Sequence, residues 1–206
     1  MSLTFLFCVI SSLSETAGKV FKHPLTIIIS LALLIACVCT IVISKEKRRQ
    51  VPLNYFLLGG ATLGETVFLA AVAADLKIMS VFAAIFATCL AVGSLFVAAA
   101  YTASSMDRDK LIKNMGTALG ITFILHLAVV LFFVFGFGVS DKALVVGISC
   151  AMLVISGAYV IFALLFIIVP GVTDKDDYIL GALNLYLEIA RLFYWLLIIL
   201  GEKKSE

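Results

Sequence analysis

Long runs of apolar residues, separated by short polar stretches, dominate the chain. A helix that crosses the hydrocarbon core of a bilayer needs about 20 mainly apolar residues. Six runs reach that length, and they cover 24–44, 52–74, 78–101, 115–139, 143–170 and 178–201. The pattern therefore predicts an all-α integral membrane protein whose single domain covers residues 1–206.

The opening apolar run, Leu3 to Leu13, is too short to cross a bilayer unaided, and the polar stretch Ser14 to Lys22 follows it. We interpret residues 3–20 as a truncated first helix, which brings the bundle to six to seven helices. A secretory signal peptide is the alternative, but no basic residue precedes the run and no clear cleavage site follows it.

Small residues recur four positions apart inside three of the runs. Lipid offers no hydrophobic drive for helix association, so membrane helices pack through small residues that let their backbones approach. We therefore expect close helix packing along three seams: Gly60 with Gly64, Ala83 with Ala87 and Ala91, and Gly116 with Gly120.

The composition supports a membrane protein and argues against several other classes. Hydrophobic residues make up 63% of the chain and charged residues 14%, whereas soluble domains have about 45–50% and about 25%. The net charge is only +2 and the basic residues are spread among loops, so we expect no nucleic-acid partner. The five cysteines lie in apolar runs, where thiols behave as small hydrophobes. We predict no disulfide framework, no metal site and no cofactor.

Basic residues in the loops predict an orientation. Eight of them lie on the side of residues 45–50, against six on the other side if the last helix crosses fully. The positive-inside rule then places residues 45–50 in the cytosol.

The tail Lys203-Lys204-Ser205-Glu206 resembles a dilysine retrieval signal of the endoplasmic reticulum, which must face the cytosol. A fully crossing last helix puts it on the opposite side, so we favour interfacial anchors for the two lysines.

Ionisable residues within or beside the apolar runs are the candidate site. Such groups cost on the order of 3 kcal/mol each at membrane depth and usually face a bundle interior or a water-filled path. Glu188 and Arg191 lie three residues apart and therefore share one helical face. Glu65 lies midway along 52–74 and either has a function or makes a structural hydrogen bond. Asp141 either interacts favourably with the dipole of the helix that follows it or attracts cations to the mouth of an ion pathway.

Catalysis has little support in the sequence. His126 is the only histidine inside a run, and no second histidine or cysteine lies at ligand spacing, so we interpret it as an interior polar residue. Ser149 or Ser156 as a nucleophile would need a base on a neighbouring helix, and nothing in the sequence points to one. We therefore do not expect an enzyme.

Two stretches carry a recognisable pattern: Val51 to Glu65, which begins with Val-Pro-Leu-Asn, and Asp177 to Phe193, which contains Ala-Leu-Asn-Leu-Tyr-Leu-Glu-Ile. They resemble the Bax inhibitor-1 family, most nearly its lifeguard or Golgi anti-apoptotic branch. The resemblance implies seven helices, six of them wrapped around a central last helix at 178–201. It also implies a calcium leak pathway in internal membranes, of the endoplasmic reticulum or Golgi, that lowers store content and dampens cell death.

The chain departs from the family pattern at the acid pair to which opening is tied. In the family, two aspartates on the last two helices share a proton, since two close carboxylates do not both ionise cheaply. Glu188 matches the aspartate of the last helix. Its partner should fall near residues 162–165, yet no acid occurs between Asp141 and Asp174. Arg191 stands where the family pattern has a polar asparagine.

Two hypotheses follow for Arg191. Either it pairs with Glu188 and repels divalent ions, which leaves the pathway closed or calcium-poor, or it snorkels away and Glu188 with Glu65 still lines a cation path. We favour the first.

The alternative function is a non-conducting regulator that contacts channel or cell-death membrane proteins.

The truncated first helix is a second departure from the family pattern. A shortened isoform, a wrongly assigned start and a divergent member are all open explanations for it.

Overall fold

The computed structural model describes residues 1–103, 142–169 and 178–204. These residues form α-helices, apart from one isolated bridge between Leu76 and Lys203. The helices are α1 (Ser2–Leu13), α2 (Glu15–Lys22), α3 (Pro24–Ile43), α4 (Lys45–Arg49), α5 (Leu53–Ala73), α6 (Ile78–Ala103), α7 (Lys142–Ile168) and α8 (Tyr178–Leu200). The predicted all-α membrane class is confirmed.

Five of the predicted spans correspond to helices α3, α5, α6, α7 and α8, whose ends lie within two residues of the predicted bounds. Each of these helices is long and apolar enough to cross a membrane. The sixth predicted span, 115–139, lies outside the described residues, as do His126 and Asp141. Pro24 occupies the first turn of α3, where its missing N–H has no intrahelical partner to lose.

The opening segment differs from the single truncated helix expected for 3–20. It forms two helices, α1 and α2, that meet at an angle of 113°. Ser14 between them has an extended backbone, and its side chain accepts a hydrogen bond from the N–H of Ala17. This cap starts a new helix and turns the polar stretch away from the direction of α1.

The α1 helix has its polar face inside and its apolar face outside. Large apolar side chains on one face are exposed, at Leu3, Leu6, Ile10 and Leu13. The buried residues are small and mostly polar, at Thr4, Cys8, Ser11 and Ser12. Ser11 Oγ donates to the carbonyl of Ala70 at 2.7 Å, and Ser12 Oγ donates to that of Leu76 at 2.8 Å. Such an arrangement is typical of a helix whose outer face meets lipid.

Close packing between α3 and α5 follows the predicted glycine seam. A Cβ added to Gly64 would lie 2.7 Å from the carbonyl oxygen of Ser30, and one added to Gly60 would lie 2.7 Å from Cys37 Sγ. Positions later in α5 meet positions earlier in α3, so the two helices are antiparallel. Only glycine permits this approach of the two backbones.

The last helix, α8, lies in the interior of the bundle. It packs against α3, α5, α6 and α7, and its fully buried side chains include Leu183, Phe193 and Leu197. Phe193 stacks edge-on against Phe5 of α1, with the ring centroids 5.0 Å apart. This is the position that the family resemblance implies for the last helix.

The chain after α8 is held against the turn between α5 and α6. The N–H of Lys77 donates to the carbonyl of Glu202 at 2.8 Å, and the N–H of Lys204 donates to that of Asp75 at 2.9 Å. Lys204 Nζ also donates to the carbonyl of Ala74 at 2.7 Å. The tail therefore lies at the opposite end of α5 from the basic helix α4, as expected for a last helix that crosses fully.

Candidate functional site

Glu188 and Arg191 form an ion pair on α8. Arg191 Nη1 donates to both carboxylate oxygens of Glu188, at 2.9 Å and 3.0 Å. The Glu188 side chain is 13% exposed and that of Arg191 31% exposed. Residues three apart are neighbours on one face of a helix. The guanidinium lies beside the carboxylate, which is the geometry of the hypothesis that Arg191 pairs with Glu188.

Glu65 on α5 belongs to the same charged group. Its side chain is half-buried, and its carboxylate interacts electrostatically with the Arg191 guanidinium. Among the described residues Glu65 has no hydrogen-bond donor, so the structural bond considered for it is not found there. The structure thus brings together three of the four predicted site residues, with two carboxylates to one guanidinium. Asp141, the fourth, lies outside the described residues.

A cavity of about 190 Å³ lies between α7 and α8 beside Glu188. Its α8 side consists of Gly181, Asn184 and Glu188, which recur at helical spacing. Its α7 side is formed by Tyr159, Phe162, Ala163 and Phe166. The wall that faces Glu188 is therefore aromatic at the place where the family resemblance implies a second acid.

A cluster of hydroxyl groups joins α1, α5 and α8 close to the charged group. Thr4 Oγ1 shares hydrogen bonds with Thr66 Oγ1 at 3.0 Å and with the Tyr186 hydroxyl at 3.1 Å. Tyr186 donates to the carbonyl of Thr62 at 3.2 Å and interacts electrostatically with Glu65. The one sign of this cluster in the sequence is the row of small polar residues on α1. Its meaning becomes clear only from the packing of α1 on α5.

The two stretches of sequence that carry the family resemblance meet in the structure. Asn54 Nδ2 donates to the Tyr178 hydroxyl at 3.2 Å, and that hydroxyl donates to the Tyr55 hydroxyl at 3.2 Å. Asn54 is fully buried and its Oδ1 accepts from the N–H of Tyr55 at 2.8 Å. The Pro-Leu-Asn motif therefore fixes the start of α8 to the start of α5.

Comparison with known proteins agrees with that pattern. A family model described as Inhibitor of apoptosis-promoting Bax1 matches residues 1–205. No curated protein and no solved structure matches the chain. The matched segment includes all the described helices and both stretches that carry the resemblance.

Proposed function

The chain belongs to the Bax inhibitor-1 family, and on that premise we propose that it forms a calcium leak pathway in an internal membrane, which Arg191 holds at low flux. It is an integral membrane protein of a family linked to inhibition of apoptosis. We propose the endoplasmic reticulum or Golgi as its membrane and a lowered calcium content of the store as the means by which it dampens cell death.

The ion pair of α8 is the observation that supports low flux. A carboxylate beside a pathway attracts cations, but both oxygens of Glu188 already accept from Arg191. Two unit charges 4 Å apart interact by about 4 kcal/mol at an effective dielectric constant of about 20. A fixed guanidinium therefore offsets much of the attraction that Glu188 would exert on a divalent ion.

Oxygen-bearing groups on both sides of α8 support a pathway through this part of the bundle. Asn184 and Glu188 face the cavity on the α7 side, and Glu65 lies on α5. The Tyr186 hydroxyl interacts electrostatically with Glu65, and its hydrogen bonds with Thr66 and Thr4 extend the polar surface toward α1. Carboxylate, amide and hydroxyl oxygens are the ligands that calcium prefers.

Calcium efflux from proteoliposomes that hold the purified chain tests this proposal. Arg191→Asn removes the guanidinium and should raise the efflux rate by about tenfold. This corresponds to a free-energy barrier to calcium passage that is lower by about 1.4 kcal/mol. Arg191→Lys keeps the positive charge and is the matched control, so its efflux should stay low. Equal efflux from all three proteins would contradict the role of Arg191.

A non-conducting regulator is the second candidate, and the aromatic wall of the cavity favours it. Phe162, Ala163 and Phe166 supply no charged group opposite Glu188, so the described part of α7 offers no second acid to a gate. Such a regulator would act by contact with channel or cell-death membrane proteins. Capture of such proteins by the full chain, together with no calcium efflux from any Arg191 variant, would support this function over a leak.

A further inference from the structure

We propose that the cavity between α7 and α8 binds a small organic cation, an amine whose ammonium group contacts Glu188 and whose apolar part lies against the aromatic rings of α7. Such binding does not depend on whether the chain conducts calcium. The size, walls and acceptor groups of the cavity support it.

The size of the cavity suits a molecule with one ring. An engineered apolar cavity of about 150 Å³ takes up benzene, and this cavity measures about 190 Å³. Gly181 contributes no side chain to it, and a Cβ there would make only an ordinary contact of 3.5 Å with Ile167. The volume therefore accommodates a ring together with a short aminomethyl group.

The walls favour an organic cation over a metal ion. Tyr159, Phe162 and Phe166 recur at helical spacing on α7 and all line the cavity. The faces of aromatic rings carry negative charge and attract ammonium groups. Calcium instead takes six to eight oxygen ligands, and the described walls supply few side-chain oxygens besides those of Asn184 and Glu188.

Glu188 keeps acceptor capacity for a donor in the cavity. A carboxylate has about four acceptor sites on its two oxygens, and within the described residues Glu188 accepts only two bonds, both from Arg191. Asn184 lies one helical turn away on the same wall and adds an amide oxygen. An ammonium N–H fits these acceptors, whereas a purely apolar molecule would leave them without a partner.

The test uses benzylamine and benzyl alcohol, which have nearly the same shape and differ in charge. Isothermal titration calorimetry with the full chain in nanodiscs of zwitterionic lipid measures the affinity for each. Benzylamine should bind at least about tenfold more tightly than benzyl alcohol, as expected for a charge-assisted hydrogen bond with a cation–π contact. Glu188→Gln should remove that preference, and Glu202→Gln, at the far end of α8, should keep it.

Ala163→Leu provides a second variant in case Glu188→Gln fails to fold. The larger side chain fills the cavity while the ion pair of Glu188 and Arg191 stays intact, so benzylamine binding should be lost. Equal affinity for the amine and the alcohol would overturn the proposal. So would benzylamine affinity that neither Glu188→Gln nor Ala163→Leu changes.

Discussion

Among single residues, Arg191 distinguishes this chain from the family pattern, because it places a positive charge beside the Glu188 carboxylate. Arg191 supplies the cation that sits beside Glu188, and Glu65 adds a second carboxylate within its electrostatic reach. The pairing of Glu188 with Arg191 follows from their spacing of three residues on one helix. The position of Glu65 beside them depends on how α5 packs on α8, which the sequence pattern does not specify.

Thr66 tests the contribution of the hydroxyl cluster. Thr66→Val keeps the shape of the side chain but leaves the Thr4 and Tyr186 hydroxyls with one partner fewer. We expect the free energy of unfolding to fall by about 0.6–1.7 kcal/mol, from the average to the largest value for hydrogen bonds between membrane helices. Reversible unfolding in bicelles measures the change.

Thr88→Val is the control for that measurement. The hydroxyl of buried Thr88 donates to the carbonyl of Ala84 in its own helix, so its loss leaves no side chain of another helix without a partner. A loss of stability at Thr88 as large as that at Thr66 would contradict a special role for the cluster.

At the scale of helices, the length of each apolar run determined most of the architecture. A run of about 20 apolar residues has one stable solution in a bilayer, a helix that satisfies its own backbone, so the bounds of α3, α5 and α8 agree with the pattern. The opening segment has a mixed pattern. Its bend at Ser14 depends on a local cap and on hydrogen bonds from Ser11 and Ser12 to α5 and the turn that follows it.

Two glycines of α5, one in the seam and one outside it, test the packing of α3 on α5. Gly64→Ala places a methyl group 2.7 Å from the Ser30 carbonyl oxygen, so the helices must separate. We expect a loss of about 1–3 kcal/mol of stability, as for other overpacked sites. Gly59→Ala meets no atom within 4 Å and should be neutral or stabilising. Equal thermal unfolding temperatures for the two variants would contradict the seam.

At the scale of the whole molecule, α8 is held at both ends. Tyr178 bonds to Asn54 at its start, and the tail after Leu200 pairs with the turn at 74–77. The family pattern predicted a central last helix, and the structure adds that α5 and α8 run parallel with both ends joined. These contacts come from residues more than 120 positions apart, so no local sequence pattern predicts them.

The ion pair of Lys77 with Glu202 should make the tail sensitive to pH. Lys77 Nζ lies 2.9 Å from Glu202 Oε2 and holds the pKa of that carboxyl below its usual range. A lowered pKa in the folded state means that the pair stabilises the tail above the ordinary glutamate pKa of about 4.3. The contribution is lost as pH falls through the lower pKa of the folded state.

Spin labels on Met79→Cys and Lys203→Cys, in a chain without its native cysteines, measure the release of the tail. The distance distribution should be narrow at pH 7 and broader at pH 3, and Glu202→Gln should broaden it at both. Since the backbone hydrogen bonds of the tail remain, the broadening should be partial. A distribution that is the same at both pH values would contradict the role of the pair.

A double-mutant comparison of calcium efflux from proteoliposomes tests whether Arg191 limits calcium flux by occupying Glu188, as we propose. Arg191→Asn should raise efflux more when Glu188 is present than when Glu188 is replaced by Gln, because only in the first case does loss of the guanidinium also free the Glu188 carboxylate for calcium. The same rise in both backgrounds, or no rise in either, would contradict the claim.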